Sequence, residues 1–523
     1  MLTETTKTEP DYTSKVPHYT FADTLEGQEA QLATNPLMQR LIASRKSYAG
    51  DRYRPIYHYV NPEAMLNDPN GLCRWQGRWH LFYQAYPPED TRQHWGHAVS
   101  DDLIHWRDLP YAIYPNPERC CFSGSALAEE DRVIAMYHGT EVGNMVAVSS
   151  DPLLLNWDKV TGQAVIPIRT ADGLPLPYNV FDPCIWRKGD HYYALSAGQQ
   201  AGPGGRRVRA DFLFRSPDLA HWEYLHPFVE DDVFTLIGDD GACPYFWPIG
   251  DRHMLLFFSH MSGGQYLLGD YDTERDKFVV TAHDSFNFGP AWPSGVHAPS
   301  AVPDGEGGII VLFNMNAGKS TEGWNQIMTL PRRLTLVGRD EVAVEPAGDV
   351  TSLRREHVHV GPRTLTANED IVLDGVAGDA IEIVAEIAPS GAPAIEMQVL
   401  RSPDAEETTR IVFYRDRGYR DRSRDGGQQH SLIVLDGTYG SLLPDVQMRG
   451  PEAAQVYVAP DEPLRLRVFV DKSAVEVFVN GRQCAGIRIY PSRDDSVGVS
   501  LRSQGRPSEL QSLDAWQMAD IYG

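Results

Sequence analysis

The chain has 523 residues, of which 42% are hydrophobic and 10% aromatic, and its 47 Lys and Arg against 71 Asp and Glu give a net charge of −24. This composition excludes intrinsic disorder, and the length predicts roughly two to four domains of a β-rich globular protein. The acidic balance excludes nucleic acid as an expected partner, and no apolar stretch approaches the roughly 18 residues that would predict a membrane span.

The N-terminus and the cysteines indicate the cellular compartment of the protein. Residues 1–15 are polar and lack the apolar run of a secretory signal, so the sequence predicts a cytoplasmic protein. The six cysteines form no C-x-x-C pair, which argues against a zinc cage or a disulfide framework and favours reduced thiols. We therefore expect no cofactor, while association with further copies of the chain stays open.

The first predicted element is a helix in residues 24–46. Leu32, Leu37, Leu41 and Ile42 are spaced so that they share one apolar face of that helix. We expect residues 1–50 to form an N-terminal extension whose helix packs on the main body.

From about Arg54 onward the pattern changes to short apolar runs bounded by Gly, Pro, Asp or Asn, which predicts an all-β fold. A motif of Ser, Asp or Pro, Leu and a following Trp recurs at 100–106, 150–157 and 216–222. Recurrence of this kind is typical of the blades of a β-propeller, although Ser-Asp turns before a Trp strand could also recur by chance.

A second strand series begins near Ile371. Residues 464–482 predict a hairpin around Asp471-Lys472-Ser473, followed by the turn signal Asn480-Gly481. A β-sandwich is the architecture in which such strands commonly occur.

The segment Asn67-Asp68-Pro69-Asn70-Gly71 is the sharpest local motif. Pro69 restricts Asp68 to an extended backbone and Asn70-Gly71 closes a turn, so the carboxylate is held at the end of a strand. Read alone, the segment fits a structural turn at least as well as a catalytic site.

Further motifs follow in order, and together they resemble glycoside hydrolase family 32, the β-fructosidases, which include invertases, inulinases and levanases. They are FYQ at 82–84, HWGHA at 94–98, FSGSA at 122–126, FDP at 181–183, ACP at 242–244, YLLGDYD at 266–272 and VFVDKSAVEVFVNG at 468–481. The resemblance covers roughly residues 54–520. It implies a five-bladed β-propeller at 51–340, a linker at 341–365 and a β-sandwich at 366–523.

The resemblance also implies a reaction on fructose-containing saccharides. Asp68 matches the nucleophile and Asp182 the aspartate that stabilises the transition state, so we expect a retaining hydrolase of β-D-fructofuranosides. A levan- or inulin-type fructosyltransferase is the alternative, because water and a second sugar compete for the same intermediate. Phe181 stands where the family usually carries Arg before this aspartate, which puts the charge pattern around Asp182 in doubt.

The third carboxylate of the family is absent, because the family's Glu-Cys-Pro reads Ala242-Cys243-Pro244 here. A methyl group donates no proton. Three hypotheses stay open: an engineered Glu→Ala replacement, relocation of the acid to Asp240 with Asp239 as a weaker candidate, or a fructoside-binding protein without catalysis. Alternate residues of a strand share a face, so Asp240 would point the same way as Ala242. The unchanged Cys243 and Pro244 favour a missing acid over a relocated one.

The family's sugar-contacting positions match a set of non-acidic residues, namely Asn67, Gln84, Trp95, Phe122 and Ser123. Amides and a hydroxyl would bond to sugar hydroxyls, and the aromatic rings would supply apolar faces. His94 and His97 are too few for a metal site and would lie on opposite faces of a strand, so we predict no metal.

Overall fold

The computed structural model describes residues 11–170, 172–422 and 427–522. Near the N-terminus lie two helices, α1 (Leu25–Leu32) and α2 (Pro36–Ser47). The single helix predicted over 24–46 is therefore wrong: Asn35 caps α2 by accepting hydrogen bonds from the first-turn backbone, and Pro36, which has no N–H, starts the new helix.

The predicted apolar face of this segment is confirmed except at one position. Leu32, Leu37 and Leu41 are buried against the first strands of the main body. Ile42 is 42% exposed, because it follows the buried Leu41 directly and so lies about 100° away from it around α2. Neither of these helices is long and apolar enough to cross a membrane.

The main body consists of five sheets, antiparallel except for one short edge strand, and each is built from strands that are consecutive in the chain. We call the sheets blades I to V. Blade I holds β1 (Leu66–Trp75), β2 (Arg78–Ala85), β3 (His94–Ser100) and β4 (Arg107–Ile113); blade II holds β5 (Cys121–Ala128), β6 (Val133–Gly139), β7 (Gly143–Ser149), β8 (Asp158–Lys159) and β9 (Ile166–Pro167). Blade III holds β10 (Pro183–Lys188), β11 (His191–Ala201), β12 (Arg207–Ser216) and β13 (Glu223–Pro227).

The last two blades have the same plan with one short additional strand each. Blade IV holds β14 (Val229–Glu230), β15 (Ala242–Ile249), β16 (Arg252–Ser259), β17 (Gly263–Asp272) and β18 (Lys277–Ser285), and β14 pairs parallel to β18. Blade V holds β19 (Val296–Pro303), β20 (Ile309–Met315), β21 (Ile327–Met328), β22 (Arg332–Gly338) and β23 (Glu341–Pro346). Short 3-10 turns lie at Pro203–Gly205 and Val350–Leu353.

One strand of each blade lines the centre of the propeller. The contacts between these inner strands run from β1 to β5, β10, β15 and β19, and from β19 back to β1, which closes the ring. Large apolar side chains fill the spaces between blades. The predicted fold class is thus confirmed for the propeller.

The repeated Ser-Asp motif forms the turn between the third and fourth strands of blades I, II and III. In each turn an Asp side chain accepts hydrogen bonds from the backbone N–H groups that follow it, as Asp102, Asp151 and Asp218 do. Each turn also holds a leucine in the left-handed region: φ is 72° at Leu103, 53° at Leu154 and 71° at Leu219. The motif is therefore a structural repeat with one backbone geometry.

The C-terminal part is a sandwich of two antiparallel sheets. The first has the order β24 (Arg354–Val360), β38 (Ser508–Met518), β27 (Ala380–Ile387), β34 (Leu464–Asp471), β35 (Ala474–Val479) and β36 (Gln483–Arg488), with β25 (Arg363–Leu365) on β38. The second has the order β26 (Ile371–Ala377), β37 (Gly498–Gln504), β28 (Ala394–Arg401), β29 (Thr408–Tyr414), β32 (Ser431–Tyr439) and β33 (Glu452–Val456). A small ribbon pairs β30 (Arg420–Asp421) with β31 (Gln428–Gln429). The predicted hairpin is confirmed as β34 and β35.

Residues 341–365, which the sequence predicts to be a linker, form strands of both domains. β23 completes blade V, whereas β24 and β25 pair with β38 of the sandwich. The connection between domains is therefore only a few residues long, at about 347–353.

A buried ionic network joins the sandwich to the propeller. The Asp471 carboxylate accepts hydrogen bonds from the backbone N–H groups of Ile56, Tyr57 and His58, and from the His58 ring at 2.9 Å. The other ring nitrogen of His58 lies 3.1 Å from Glu476, which also bonds to Arg332 of blade V at 2.6 Å. Sandwich carboxylates thus hold the chain just before blade I and the outer part of blade V together.

Candidate active site

The candidate site lies where the five inner strands begin. In four of the five, β1, β5, β15 and β19, the pairing with the second strand shifts register at this end, which indicates a bulge or a similar irregularity. A bulge bends a strand and redirects its side chains, and proline is tolerated there because the ladder is interrupted. The residues at this corner are Pro69, Gly124, Pro183, Pro244 and Pro299 for blades I to V.

The shared corner defines two layers of side chains. Immediately before it stand Asp68, Ser123, Asp182, Cys243 and Ala298, and one position earlier stand Asn67, Phe122, Phe181, Ala242 and His297. The first layer is buried, whereas Phe181 of the second is 36% exposed. The propeller thus brings together residues that are separated by up to 230 positions in the sequence.

The predicted nucleophile Asp68 is held by hydrogen bonds on one of its oxygens. Oδ2 accepts from Oγ of Ser123 at 2.6 Å and from Nε2 of Gln84 at 3.1 Å. Oδ1 faces Nδ1 of His297 at 3.2 Å. The same Nδ1 also lies 3.2 Å from the amide Nδ2 of Asn314. Oδ1 is consequently the less tightly bound oxygen and the one suited to attack.

Asp182 lies beside Asp68, and Cys243 connects the two. The Cys243 backbone N–H donates to Oδ2 of Asp182 at 3.0 Å, and its Sγ lies 3.5 Å from that oxygen and 3.6 Å from Oδ2 of Asp68. The two carboxyl groups therefore share one thiol neighbour. This places the predicted transition-state stabiliser next to the predicted nucleophile.

The two carboxyl groups differ in acidity. Burial works to raise the pKa of Asp68, but the hydrogen bond and charge of His297 together with the Ser123 hydrogen bond hold it below its ordinary value. Burial and the neighbouring charge of Asp68 raise the pKa of Asp182 to about 7, against weaker opposition from the Cys243 contacts. Near neutral pH Asp68 is therefore ionised, whereas Asp182 is partly protonated.

Ala242, the position of the expected acid, has apolar surroundings. Its methyl group is buried in a small cluster with Cys243, Phe258, Ala291 and Ala298. Phe258 is its direct cross-strand partner, and the Phe258 ring packs against His297 with 3.8 Å between ring centroids.

Asp240 and Asp239, the candidates for a relocated acid, face different neighbours. Asp240 accepts hydrogen bonds from His260, at 2.6 Å from the ring Nδ1 and 3.1 Å from the backbone N–H. Asp239 is buried and bonds to the Leu236 backbone and to Ser262, each at 2.6 Å. Asp240 therefore meets the site through a histidine, whereas Asp239 stabilises its own loop.

Four of the five predicted sugar-binding residues reach the site. Gln84 contacts both Asp68 and Ser123, and Asn67 donates to Gln84 at 3.3 Å and accepts from Asn314 at 3.2 Å. Phe122 is half-buried at the same end of β5. These side chains form a polar network around the nucleophile with one aromatic ring at its edge.

The prediction for Trp95 is wrong. This side chain is fully buried, packs at tilted angles against Phe82 and Tyr137, and donates from its indole N–H to the Phe122 carbonyl at 2.9 Å. It supports the strand that carries Phe122 and offers no ring face to a ligand. Besides Phe122, Phe181 is a partly exposed aromatic at the mouth, and it packs against His138 with 5.0 Å between ring centroids.

Sequence reasoning missed two histidines at the site, His297 and His260. His297 stands two residues before Pro299, as Ala242 stands before Pro244, so the repeated spacing before a proline was the signal that could have identified it. His260 lies in the turn after β16 and carries no motif of its own. Hydrogen bonding to Asp240 raises its pKa, against burial, and the charges of Asp68 and Asp182 add to the effect.

The other two histidines considered from the sequence lie away from this centre. His94 contacts Ser14 at 2.6 Å, and His97 contacts His80 at 3.0 Å. Within the described ranges no group of three or more His, Cys, Asp or Glu side chains is arranged to hold a metal ion. Each of the six cysteines, all of them in those ranges, is a thiol and not half of a disulfide.

Two family models match consecutive parts of this chain. The model of the glycosyl hydrolases family 32 N-terminal domain matches residues 58–346, and that of the family 32 C terminal matches residues 349–517. The first match ends with β23, and the second begins just before β24. The family boundary therefore coincides with the short connection between propeller and sandwich.

Individual proteins are similar over nearly the whole chain. Sucrose-6-phosphate hydrolase of Escherichia coli is 26% identical over 92% of this chain and 98% of its own length. Levanase of Bacillus subtilis is 27% identical over 92% of this chain and 72% of its own length. Among solved structures, fructan 1-exohydrolase IIa from Cichorium intybus has a TM-score of 0.77 at 21% identity, covering 90% of this chain and 98% of that one, which shows a shared fold.

Proposed function

The chain belongs to glycoside hydrolase family 32, and on that premise we propose that it is a retaining glycosidase that releases fructose from β-D-fructofuranosides. Its substrates would be sucrose-like or fructan saccharides, as the names of its relatives suggest. The observation that carries the proposal is the placement of Asp68 and Asp182 side by side, with Cys243 in contact with both.

In the proposed reaction Oδ1 of Asp68 attacks the anomeric carbon, C2, of the fructosyl unit while the bond from C2 to the leaving oxygen breaks. Ser123 and Gln84 hold Oδ2 throughout, so the attacking carboxylate keeps its direction. Water then attacks C2 of the fructosyl ester, the bond from C2 to Oδ1 breaks, and the carboxylate is regenerated.

Asp182 would accept hydrogen bonds from the fructose hydroxyls. Positive charge develops on the ring in the transition state, so bonds to an ionised carboxylate strengthen at that moment. A substrate hydroxyl donating to Asp182 would also stabilise its charged form and oppose the rise of its pKa that burial causes.

The test is product analysis with sucrose, 1-kestose, inulin and levan. We expect fructose from at least one of them, and we expect Asp68→Asn to reduce its release by several orders of magnitude. Asp101→Asn is the matched control, because that carboxylate is exposed at a turn of blade I and contacts only Arg78 among the described ion pairs, at 3.6 Å. Absence of fructose-containing products from all four saccharides would contradict the proposal.

A second candidate function is fructoside binding without turnover, and the apolar surroundings of Ala242 favour it. Calorimetric binding of 1-kestose together with no product at high protein concentration would support binding over hydrolysis. Oligosaccharides longer than the substrate would identify a fructosyltransferase, in which a second sugar replaces water at the fructosyl ester.

A further inference from the structure

We propose that His260, oriented by Asp240, is the proton donor that replaces the missing carboxyl group at position 242. This inference rests on the proposed glycosidase function and assigns its acid and base. His260 would be a catalytic residue because it contacts the leaving oxygen, whereas Asp240 would be a positioning residue that acts through the imidazole.

The place of His260 follows from its contacts. In the pair of β15 and β16, Ala242 lies opposite Phe258, and His260 follows β16 in the turn beyond Phe258. The His260 ring lies 5.0 Å, between centroids, from the ring of Phe258, and its Nδ1 and backbone N–H lie 2.6 and 3.1 Å from the Asp240 carboxylate. The His260 ring therefore contacts the side chain that lies opposite position 242, where the family's carboxyl group would stand.

The ring is close to the reacting carboxylate and open to a substrate. Its centroid lies 6.2 Å from that of His297, whose Nδ1 contacts Asp68. The His260 side chain is 64% exposed, while that of Asp68 is 11% exposed, so the imidazole stands toward the mouth and the nucleophile toward the floor. A leaving group that points out of the site passes the imidazole.

Charge makes His260 suitable as an acid. The charged and titratable groups facing it are Asp240 on its own hairpin, Asp68 of blade I, Asp182 of blade III and His297 of blade V. Three of the four are carboxyl groups, and they favour the imidazolium. Because Nδ1 is bonded to Asp240, Nε2 is the nitrogen available to a substrate.

The proton balance of the reaction is then complete. In the first step Nε2 gives its proton to the leaving oxygen as the bond from C2 to that oxygen breaks, and a neutral alcohol departs. In the second step neutral Nε2 takes a proton from the attacking water as the new bond to C2 forms. The imidazolium and the Asp68 carboxylate are both restored.

Two other groups fit the role less well. Asp182 is 3% exposed, and its Oδ2 already accepts from the backbone N–H of Cys243, so it lies deeper than an outward-pointing leaving oxygen. Direct donation by Asp240 would require its Oδ2 to leave the 2.6 Å bond to His260.

The first experiment compares two leaving groups in His260→Gln. On sucrose, whose leaving alcohol needs a proton, we expect kcat/KM to fall roughly 10²- to 10⁴-fold. On 4-nitrophenyl β-D-fructofuranoside, whose leaving group departs as an anion, we expect a loss of less than about tenfold in the first step. His221→Gln is the matched control, because His221 also bonds to an aspartate, at 2.9 Å, on an exposed turn.

The second experiment is the pH profile of Asp240→Asn on sucrose. An acid must be protonated to act, so activity is lost as pH rises through its pKa, and removing the Asp240 charge lowers that pKa. We therefore expect the alkaline limb of kcat/KM to move to lower pH while the enzyme stays folded. A purely structural role of Asp240 would lower activity without moving the limb.

The outcomes separate the inference from the function beneath it. No turnover by the unsubstituted protein of 4-nitrophenyl β-D-fructofuranoside, sucrose, 1-kestose, inulin or levan overturns the proposed function, and the inference with it; if sucrose alone is not cleaved, the saccharide that is cleaved takes its place in both experiments. Normal turnover of sucrose by His260→Gln overturns the inference but leaves the proposed function standing. If turnover is normal in His260→Gln and abolished in Asp240→Asn, Asp240 is the direct acid, which also overturns the inference. Equal losses on both substrates in His260→Gln also contradict proton donation.

Discussion

Nδ1 of His297 lies 3.2 Å from Oδ1 of Asp68, and this contact links blade V to blade I at the centre of the propeller. The other oxygen of Asp68 is bonded to Ser123 of blade II. Three neighbouring blades therefore fix one carboxylate, and any change in how the ring closes would alter its direction and its acidity.

Replacing His297 by Phe should move the acid limb of the pH profile upward. The hydrogen bond and charge of His297 hold the pKa of Asp68 below its ordinary value, so without them the nucleophile is protonated at a higher pH. The measurement is kcat/KM for sucrose between about pH 3 and 7, with His221→Gln as control. An unchanged acid limb would show that another group controls the ionisation of Asp68.

Asp182→Asn should stabilise the fold above pH 7 while it reduces activity. The pKa of Asp182 is raised to about 7 in the folded chain by burial and the charge of Asp68, so its ionisation opposes folding. The destabilisation is absent below the ordinary Asp pKa, grows as pH rises, and is complete above about 7, where it amounts to at most about 4 kcal/mol. Thermal unfolding at pH 4 and pH 8 measures it, and an equal shift of Tm at both pH values would contradict the assignment.

Ala242→Glu should destabilise the protein without restoring a fast reaction. The new carboxylate would be buried among Phe258, Ala291 and Ala298, and an unsatisfied buried charge costs about 2 to 4 kcal/mol. Ala242→Gln introduces a side chain of the same size as Glu but without charge. It therefore separates the effect of volume from that of charge, since only the Glu variant should lose stability further as pH rises.

The same variant distinguishes an acid that is missing from one that has moved. If His260 supplies the proton, Ala242→Glu gains no turnover on sucrose. A gain of roughly a hundredfold, retained when His260 is also replaced, would instead show that position 242 is the site at which the chemistry needs its acid.

His58 should make the domain interface sensitive to alkaline pH. Burial alone would lower the pKa of His58, but Asp471 and Glu476 raise it to about 9. A raised histidine pKa contributes stability that is fully present below about 6.5 and lost as pH rises through 9, up to about 3 kcal/mol. His58→Gln should therefore lower Tm at pH 6 and make little difference at pH 10, and a loss of Tm that is equal at both would contradict this charge state.

The sequence predicted those site residues whose backbone is locally constrained. Asp68 and Asp182 each precede a proline at the start of an inner strand, so the chain fixes their direction within a few residues. Their partners Ser123 and Gln84 were also identified, because they belong to short motifs on which the family resemblance rests.

The residues that the sequence misassigned or missed depend on contacts that neighbouring residues do not determine. Trp95 was misassigned because the face of β3 on which a side chain lies depends on pairing with β2 and β4, and an aromatic ring suits either face. His260 was missed because its importance depends on a hydrogen bond to Asp240, which lies 20 residues earlier and meets it only when β15 and β16 pair. Ile42 was misplaced because an apolar residue next to a buried one in a helix points about 100° away from it, and the buried face of α2 ends at Leu41.

In the part of the chain that the structure describes, each blade is built from consecutive strands, and no strand is exchanged between blade I and blade V. Direct contacts between β1 and β19 join the two blades, and the sandwich bridges the same junction from outside, through Asp471 on the chain before blade I and Glu476 on Arg332 and the Leu330 backbone of blade V. Tyr522, close to the C-terminus, adds a second tie by bonding to the backbone of His58 and Val60. The sandwich therefore reinforces, from outside, the direct contacts between β1 and β19 that close the ring, and its removal would weaken the junction between the blade that carries the nucleophile and the blade that carries His297.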